Sequence, residues 1–299
     1  MFIKKRTRPV TLRVMESLFY RMDLSKEGKK YYYNQISGHE GECELDSHTI
    51  KFSKRYPVLN DLNLEHRKNE FQIDALIIKD NTLHLYEVKN FKGDFFYENG
   101  KLRSHANSHV ANPTGQSDRA ESLLYNLVRE LGYQYDVKEN IVFIHPNFFM
   151  YNAPSDKNYL FLSQIESHLN QAFPYEEMDS HRDFIRDLLA LNNPDYRAKQ
   201  IPEYDYSDLR KGIYCPECFS FNHTHSRQNR ICLDCGNKEA VVQAIYRSTE
   251  EFKLLFPDKM IKTSQIYDWC NQVYSHQRVY KALKTRYKKN GNTKSACYE

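Results

Sequence analysis

Two opposed carboxylates and a lysine, set into apolar strands, are the residues of this chain best placed to do chemistry. Phe71-Gln-Ile-Asp74-Ala-Leu-Ile-Ile78 and Leu83-His-Leu-Tyr-Glu87-Val-Lys89-Asn90 flank a polar turn at Lys79-Asp-Asn-Thr82. Two β-rich runs around such a turn predict a hairpin whose paired residue numbers sum to 161. Asp74 then lies opposite Glu87, and Gln72 opposite Lys89. Alternation puts all four on one face with Leu76, Ile78, Leu83 and Leu85, while Ile73, Ala75, Ile77 and Val88 line the other. Directly opposed carboxylates stand about 5 Å apart at Cβ and repel, a cost that a cation between them relieves. A hard divalent ion such as Mg²⁺ suits oxygen donors of this kind. The competing reading is an edge hairpin with solvated charges, against which the apolar residues on both faces weigh.

The elements that must position these groups follow from pattern. Leu12, Met15, Leu18, Phe19 and Met22 fall at helical spacing and predict a helix over Thr11 to Met22. A short helix near Gly41 to His48 and a strand near Tyr56 to Leu62 precede the hairpin. A helix from Gln116 to Leu131 follows the turn Asn112-Pro-Thr-Gly-Gln116, and Gln116 projects from its first turn. Ile141 to His145 reads as a further strand, and Ser180 to Leu191 as a helix. Pro194 to Tyr206 is the best linker. The expected division is an N-terminal helical extension over residues 1–35, a main domain over 36–195, a cysteine module over 207–241 and a basic helical region over 242–299.

Cys215-Pro-Glu-Cys218 and Cys232-Leu-Asp-Cys235 are CxxC pairs separated by 13 residues. That spacing predicts a zinc ribbon in which four thiolates close a structural tetrahedron, leaving no open position for catalysis. A redox CxxC is the rival, and two matched pairs argue against it. So small a module draws much of its folding free energy from the metal.

A chain of 299 residues is long enough for a substantial core plus small modules. No run approaches the roughly 20 apolar residues that span a bilayer, and Met1 to Arg8 leads into Pro9-Val-Thr-Leu rather than an apolar signal core, so a cytoplasmic protein without membrane partners is expected. Net charge is +4, but 11 Lys and Arg against 5 Asp and Glu from Val242 onward concentrate it in the tail, where polyanions are drawn. Three helices are expected there, over Gln243 to Leu255, Thr263 to Cys270 and Ser275 to Tyr287, suggesting a helix-turn-helix. On the last, Arg278, Lys281, Lys284, Arg286, Lys288 and Lys289 are candidate phosphate contacts, with Val279, Ala282 and Leu283 inward; a plain solvated helix is the competitor.

In order along the chain, Gly38-His-Glu-Gly41-Glu42, Asp61-Leu-Asn-Leu64, Phe71-Gln-Ile-Asp74, Glu87-Val-Lys89-Asn90 with Gly93, and Asn112-Pro-Thr-Gly-Gln116 resemble the NERD (nuclease-related domain) proteins that carry a C-terminal zinc ribbon. The resemblance implies the α/β core of the PD-(D/E)xK restriction-endonuclease-like proteins, a central mixed sheet flanked by helices. It further implies that Asp74 and Glu87 bind Mg²⁺ or Mn²⁺, that Lys89 activates water and offsets developing phosphorane charge, that Glu42 adds a carboxylate, and that Gln116 contacts the site. The proline of the superfamily motif has no counterpart beside Asp74, where Gln72-Ile73 stands instead. The function so implied is a divalent-metal-dependent nuclease acting on DNA. The alternative is a nucleic-acid-binding or regulatory zinc-ribbon protein with an inactive nuclease-like core, and a third reading makes the ribbon a protein-docking module.

Overall fold

The computed structural model describes residues 2–104, 113–155, 158–174, 181–291 and 297–298, with the side chains at 113, 114, 116 and 117 outside that description. Two helices open the chain, α1 (Val10–Arg21) and α2 (Lys26–Thr49), before strands β1 (Val58–His66), β2 (Asn69–Lys79), β3 (Thr82–Lys89), β4 (Gly93–Glu98) and β5 (Lys101–Ser104). Helix α3 (Pro113–Glu130), strands β6 (Asp136–Phe143), β7 (Phe148–Tyr151) and β8 (Tyr159–Phe161), and helices α4 (Leu162–Ala172) and α5 (Arg182–Ala190) follow. The chain forms two compact units, one of Met1–Pro9 with Tyr33–Tyr196, the other of Val10–Tyr32 with Arg197–Glu299.

The first unit is a mixed α/β fold whose central sheet runs β1-β2-β3-β6-β8. The predicted register holds from Ala75 paired with Tyr86 to Lys79 paired with Thr82, across a two-residue loop in which Asp80 has φ 48°, but the expected pairs Asp74–Glu87 and Gln72–Lys89 lie beyond the last paired rung, where the strands part. Beyond the hairpin the sheet turns parallel, with β6 beside β3 and β8 beside β6, and α3 makes the first crossover. One face is covered by α3 and α5 through Leu124, Leu127, Val128, Phe184 and Leu188 packed on Leu76, Ile78, Leu83 and Leu85. The other is covered by Leu45 of α2 and by Ile165 and Leu169 of α4 on Ala75, Ile77 and Val88. Ile73, expected with that second set, instead packs with Leu76. Its strand breaks alternation at Asp74, where the register position opposite on β1 is Asp61, a non-glycine residue at φ 55°.

The expected short helix before β1 is the second half of a much longer one, and a second sheet, β5-β4-β7, joins this unit. Its β4–β5 hairpin turns at Asn99-Gly100, with φ 50° and 75°.

In the second unit a small sheet holds β9 (His223–His225), β10 (Asn229–Cys232) and β11 (Lys238–Ala240), followed by α6 (Val241–Leu255), α7 (Thr263–Trp269) and α8 (His276–Arg286). The strands β12 (Lys289–Asn290) and β13 (Cys297–Tyr298) pair after them, and Tyr298 also bridges Ile261. Helix, bridge, two helices and a strand pair follow one another in this order; residues 292–296, between the strands, lie outside the described set. Arg21 of α1 is fully buried here, bonded to Glu251 of α6 at 2.7 and 2.6 Å and lying 4.0 Å over the Trp269 ring. Among the described residues no helix is long and apolar enough to cross a membrane.

Candidate active site and metal centres

The hairpin's last paired rung is Ala75 with Tyr86. One residue further, the Asp74 carboxylate replaces the backbone acceptor: its Oδ2 takes the Val88 N–H at 2.8 Å. Asp74 and Glu87 are both buried, at 7% and 3% exposure, so each is shielded from water just where the strands part. Lys89, on the same face as Glu87, donates to Glu87 Oε1 at 2.6 Å. Glu42 reaches the site from α2, which sits so close to β3 that a Cβ on Gly41 would lie 2.7 Å from Asn90 Cβ and 3.0 Å from Ile144 Cγ2. Glycine there is a requirement of packing. Asn90 also ties the strand end to α2, donating to the Ser37 carbonyl at 2.8 Å.

Arg6, which the sequence reading missed, enters this centre from the N-terminal segment. Its guanidinium meets Glu42 at 2.6 Å, Asp46 at 3.0 and 3.1 Å, and the Asp74 carbonyl at 2.7 Å. Lys4 reaches the Asp61 carboxylate at 3.8 Å in the same way. Both lie in the basic run Lys4-Lys-Arg6-Thr-Arg8, which by itself announces no partner.

Burial, then repulsion from Asp74, lifts the Glu87 carboxyl to about 7. Burial and Asp74 likewise raise Glu42 well above its usual range. Asp74 is raised by burial too, although the Val88 N–H, Arg6 and Lys89 oppose the shift. Five carboxyl groups (Glu42, Asp46, Asp61, Asp74, Glu87) interact with three cations (Lys4, Arg6, Lys89), which leaves a formal charge of −2 when every carboxyl is ionised, a state that the raised carboxyls reach only with a further cation. Hard oxygen donors carrying that surplus fit a divalent cation. The bonds above leave Asp74 Oδ1 and Glu87 Oε2 for it. Glu42, Asp74 and Glu87 do not form a set of three oxygens within 4.8 Å of one another; among the described residues the sets that do are the four cysteines and Asp118–Glu121–Glu139. The latter, on α3 and β6, was not anticipated, and Asp118 is exposed. Gln116 lies in the first turn of α3, and its side chain, like Asn112, is outside the described residues.

The cysteine module brings Cys215 and Cys235 sulfurs to 3.6 Å and those of Cys218 and Cys232 to 3.5 Å. A tetrahedron with Zn–S bonds of about 2.3 Å has edges of about 3.8 Å, so the four thiols fit Zn²⁺. Each pair turns as a knuckle whose next residue is left-handed, Phe219 at φ 57° and Gly236 at φ 75°. Burial pushes the Cys215 thiol up, but the backbone N–H groups of Cys218 and Glu217 outweigh it and bring it to about 7. Phe219, strained where glycine is usual, stacks on Tyr20 at 4.1 Å.

On α8, Val279, Ala282 and Leu283 are buried as expected. Lys281, Lys284, Arg286 and Lys288 are exposed, whereas Arg278 and Lys289 are half-buried. Arg286 lies 5.0 Å over the Tyr246 ring and Lys289 5.7 Å over Tyr280, while Arg278 bonds the Arg227 carbonyl, so three of the six candidates have contacts within the unit.

A mixed sheet flanked by helices, with a buried Asp and Glu and a half-buried Lys where two strands part, fits a nuclease-like α/β domain, and the same chain carries a four-cysteine module. Residues 37–144 match the nuclease-related domain, NERD, so this part of the chain is similar to that family. Among solved structures, that of protein VC1899 from Vibrio cholerae is similar at 13% identity and a TM-score of 0.27, over 50% of this chain and 36% of that one. This chain thus spans about a third of that protein's length, and the fold assignment does not rest on it. No curated protein matches the chain.

Proposed function

We propose that this protein is a divalent-metal-dependent nuclease that hydrolyses phosphodiester bonds in DNA. The observation that carries the reading is the trio of buried Asp74, buried Glu87 and half-buried Lys89 at the parting of β2 and β3, beside Glu42. In this reading Asp74 Oδ1 and Glu87 Oε2 hold Mg²⁺ or Mn²⁺. When bound, the ion supplies charge neutralisation at the phosphoryl oxygens and a lowered water pKa. Lys89, oriented by Glu87, donates to a non-bridging phosphate oxygen and offsets the charge that develops there. Val88 N–H fixes the Asp74 rotamer, so that this carboxylate need not reorganise during the reaction. Zn²⁺ in the ribbon has a structural role, and the exposed lysines of α8 contact the DNA backbone. Purified protein incubated with DNA and RNA of several forms, in Mg²⁺ or Mn²⁺ against EDTA, is the direct test. Cleavage that needs the metal and disappears in Asp74→Ala and Lys89→Ala supports the reading; equal cleavage by those variants, or none by the wild type, rejects it.

A second reading is favoured by Arg6, whose guanidinium already occupies the acidic centre. A core neutralised in this way is an inactive nuclease relic, and the ribbon and α8 do the recognition. It predicts salt-sensitive DNA binding that survives Glu87→Ala and no cleavage under any metal.

A further inference from the structure

The face that carries the catalytic candidates continues into an aromatic cavity that the nuclease reading does not use. Strand β6 runs parallel to β3, with Glu87 beside Ile141 and Lys89 beside Phe143. Residues opposite in register share a face, so Glu87, Lys89 and Phe143 stand in one row. Phe143 forms the wall of a cavity of about 400 Å³ that is also lined by His145, Phe148, Phe149, Phe161 and Ser163. Its rings are arranged as planes: Phe143 stacks on Phe148 at 4.5 Å and 3°, and on Phe161 at 5.8 Å and 21°. Phe149, from the same strand as Phe148, is 56% exposed at this cavity. An exposed phenyl costs free energy that a purely structural role would avoid.

The polar lining is equally specific. His145 Nδ1 accepts the Asn147 N–H at 3.0 Å, so the neutral ring carries its proton on Nε2 and presents a donor. Exposed Lys92, in the link from β3 to β4, adds positive charge beyond Lys89 along the same chain direction. Flat apolar walls, a donor at the rim and lysines leading to the acidic centre suit one occupant, a flat heterocycle attached to a polyanionic backbone.

We propose that this cavity takes an unpaired nucleobase next to the scissile phosphate, so that the substrate of the site is single-stranded nucleic acid or a duplex opened at the cleavage point. The inference rests on the phosphodiesterase reading for the position of that phosphate, but base stacking can be measured without cleavage. Stacking on aromatic side chains tolerates any base and leaves sequence unread.

The test uses the zinc-loaded full chain, without added Mg²⁺ or Mn²⁺, with a short oligonucleotide containing 2-aminopurine, and in parallel one containing 5-iododeoxyuridine for photocrosslinking. The expected results are quenching of 2-aminopurine and crosslinks that map to the segment holding His145 to Phe161. Phe149→Ala should weaken single-strand binding about tenfold, the effect of losing one stacked base. Phe149→Trp should retain it, and duplex affinity should be unchanged in both variants. Absence of quenching, crosslinks only outside the segment, or unaltered affinity in a folded Phe149→Ala protein overturns the proposal. Should the alanine variant fail to fold, the wild-type crosslink map decides alone. Metal-dependent cleavage that is lost in Lys89→Ala while the stacking tests fail would leave the nuclease reading standing without the base cavity; stacking without any cleavage would leave the cavity without the nuclease.

Discussion

Glu87 is the residue whose protonation most directly reports the state of the acidic centre. It titrates near 7 in the folded chain, against an ordinary value of 4.5, because burial and then Asp74 disfavour its charge. Between those values the folded protein holds a proton that the unfolded chain has released, so stability falls as pH rises through the window. Asp74 and Glu42, raised by the same burial, act in the same direction. For the zinc-loaded protein without added Mg²⁺ or Mn²⁺, the melting temperature should therefore drop by a few degrees from about pH 5 to about pH 7.5, and Glu87→Gln should flatten that slope. A slope identical in the variant would disprove the assignment. Arg6 makes the complementary case. Its side chain is 3% exposed and satisfies both Glu42 and Asp46. Arg6→Gln leaves those carboxylates buried without their cation and should cost about 3–5 kcal/mol in urea denaturation. Loss of less than about 1 kcal/mol would show that water reaches the site and that Arg6 is an ordinary surface partner.

At the scale of elements, the approach of α2 to β3 decides where Glu42 stands. Gly41→Ala places a methyl 2.7 Å from Asn90 Cβ, a contact that neither neighbour can relieve by rotating. Helix and strand must separate, at a cost of about 1–3 kcal/mol, and divalent-ion affinity should fall with it while Gly38→Ala, whose Cβ meets nothing within 4 Å, leaves both unchanged. Equal effects of the two alanines, in calorimetric titration and thermal melts, would show that the close approach is unimportant. The same element shows what the sequence made legible. Helical spacing located α1, and β-rich runs around a polar turn gave the β2–β3 register rung by rung. By contrast, the first half of α2 contains Gly28 and a Tyr31-Tyr-Tyr33 run with little amphipathic pattern, so only tertiary packing reveals it as helix. The β4–β5 hairpin was readable from Asn99-Gly100, the strongest short turn signal, and was overlooked. Ile73 was misplaced because alternation presumes a regular strand, and the irregularity opposite Asp61 re-aims it. Asp74, Glu87 and Lys89 were legible because the hairpin brings their strand ends side by side, where Asp74 accepts from Val88 N–H and Lys89 donates to Glu87, whereas Arg6 comes from 68 residues before Asp74 and no local rule connects them.

For the molecule as a whole, acidic centre and basic helix belong to different units, so binding and hydrolysis should be separable by mutation. Lys281 and Lys284 stand three apart on the exposed side of α8, opposite the buried Val279, Ala282 and Leu283, and exposed Lys288 follows two residues past its end. Were this region to dock on DNA as a helix-turn-helix, that exposed side would be the one to enter the major groove or track the backbone. If each lysine neutralises one phosphate, replacing all three by alanine should reduce the dependence of log K on log salt by about 2.7 for duplex DNA. Because Asp74, Glu87 and Lys89 are untouched, metal-dependent hydrolysis of a short single strand at saturating concentration should remain at the wild-type rate. Zinc gives the control: chelation should melt the ribbon and lower the stability of the second unit without altering divalent-ion binding at the acidic centre. Fluorescence anisotropy across a salt series supplies the slope, and a slope unchanged in the triple variant would mean that α8 is a solvated face and that the duplex is held elsewhere.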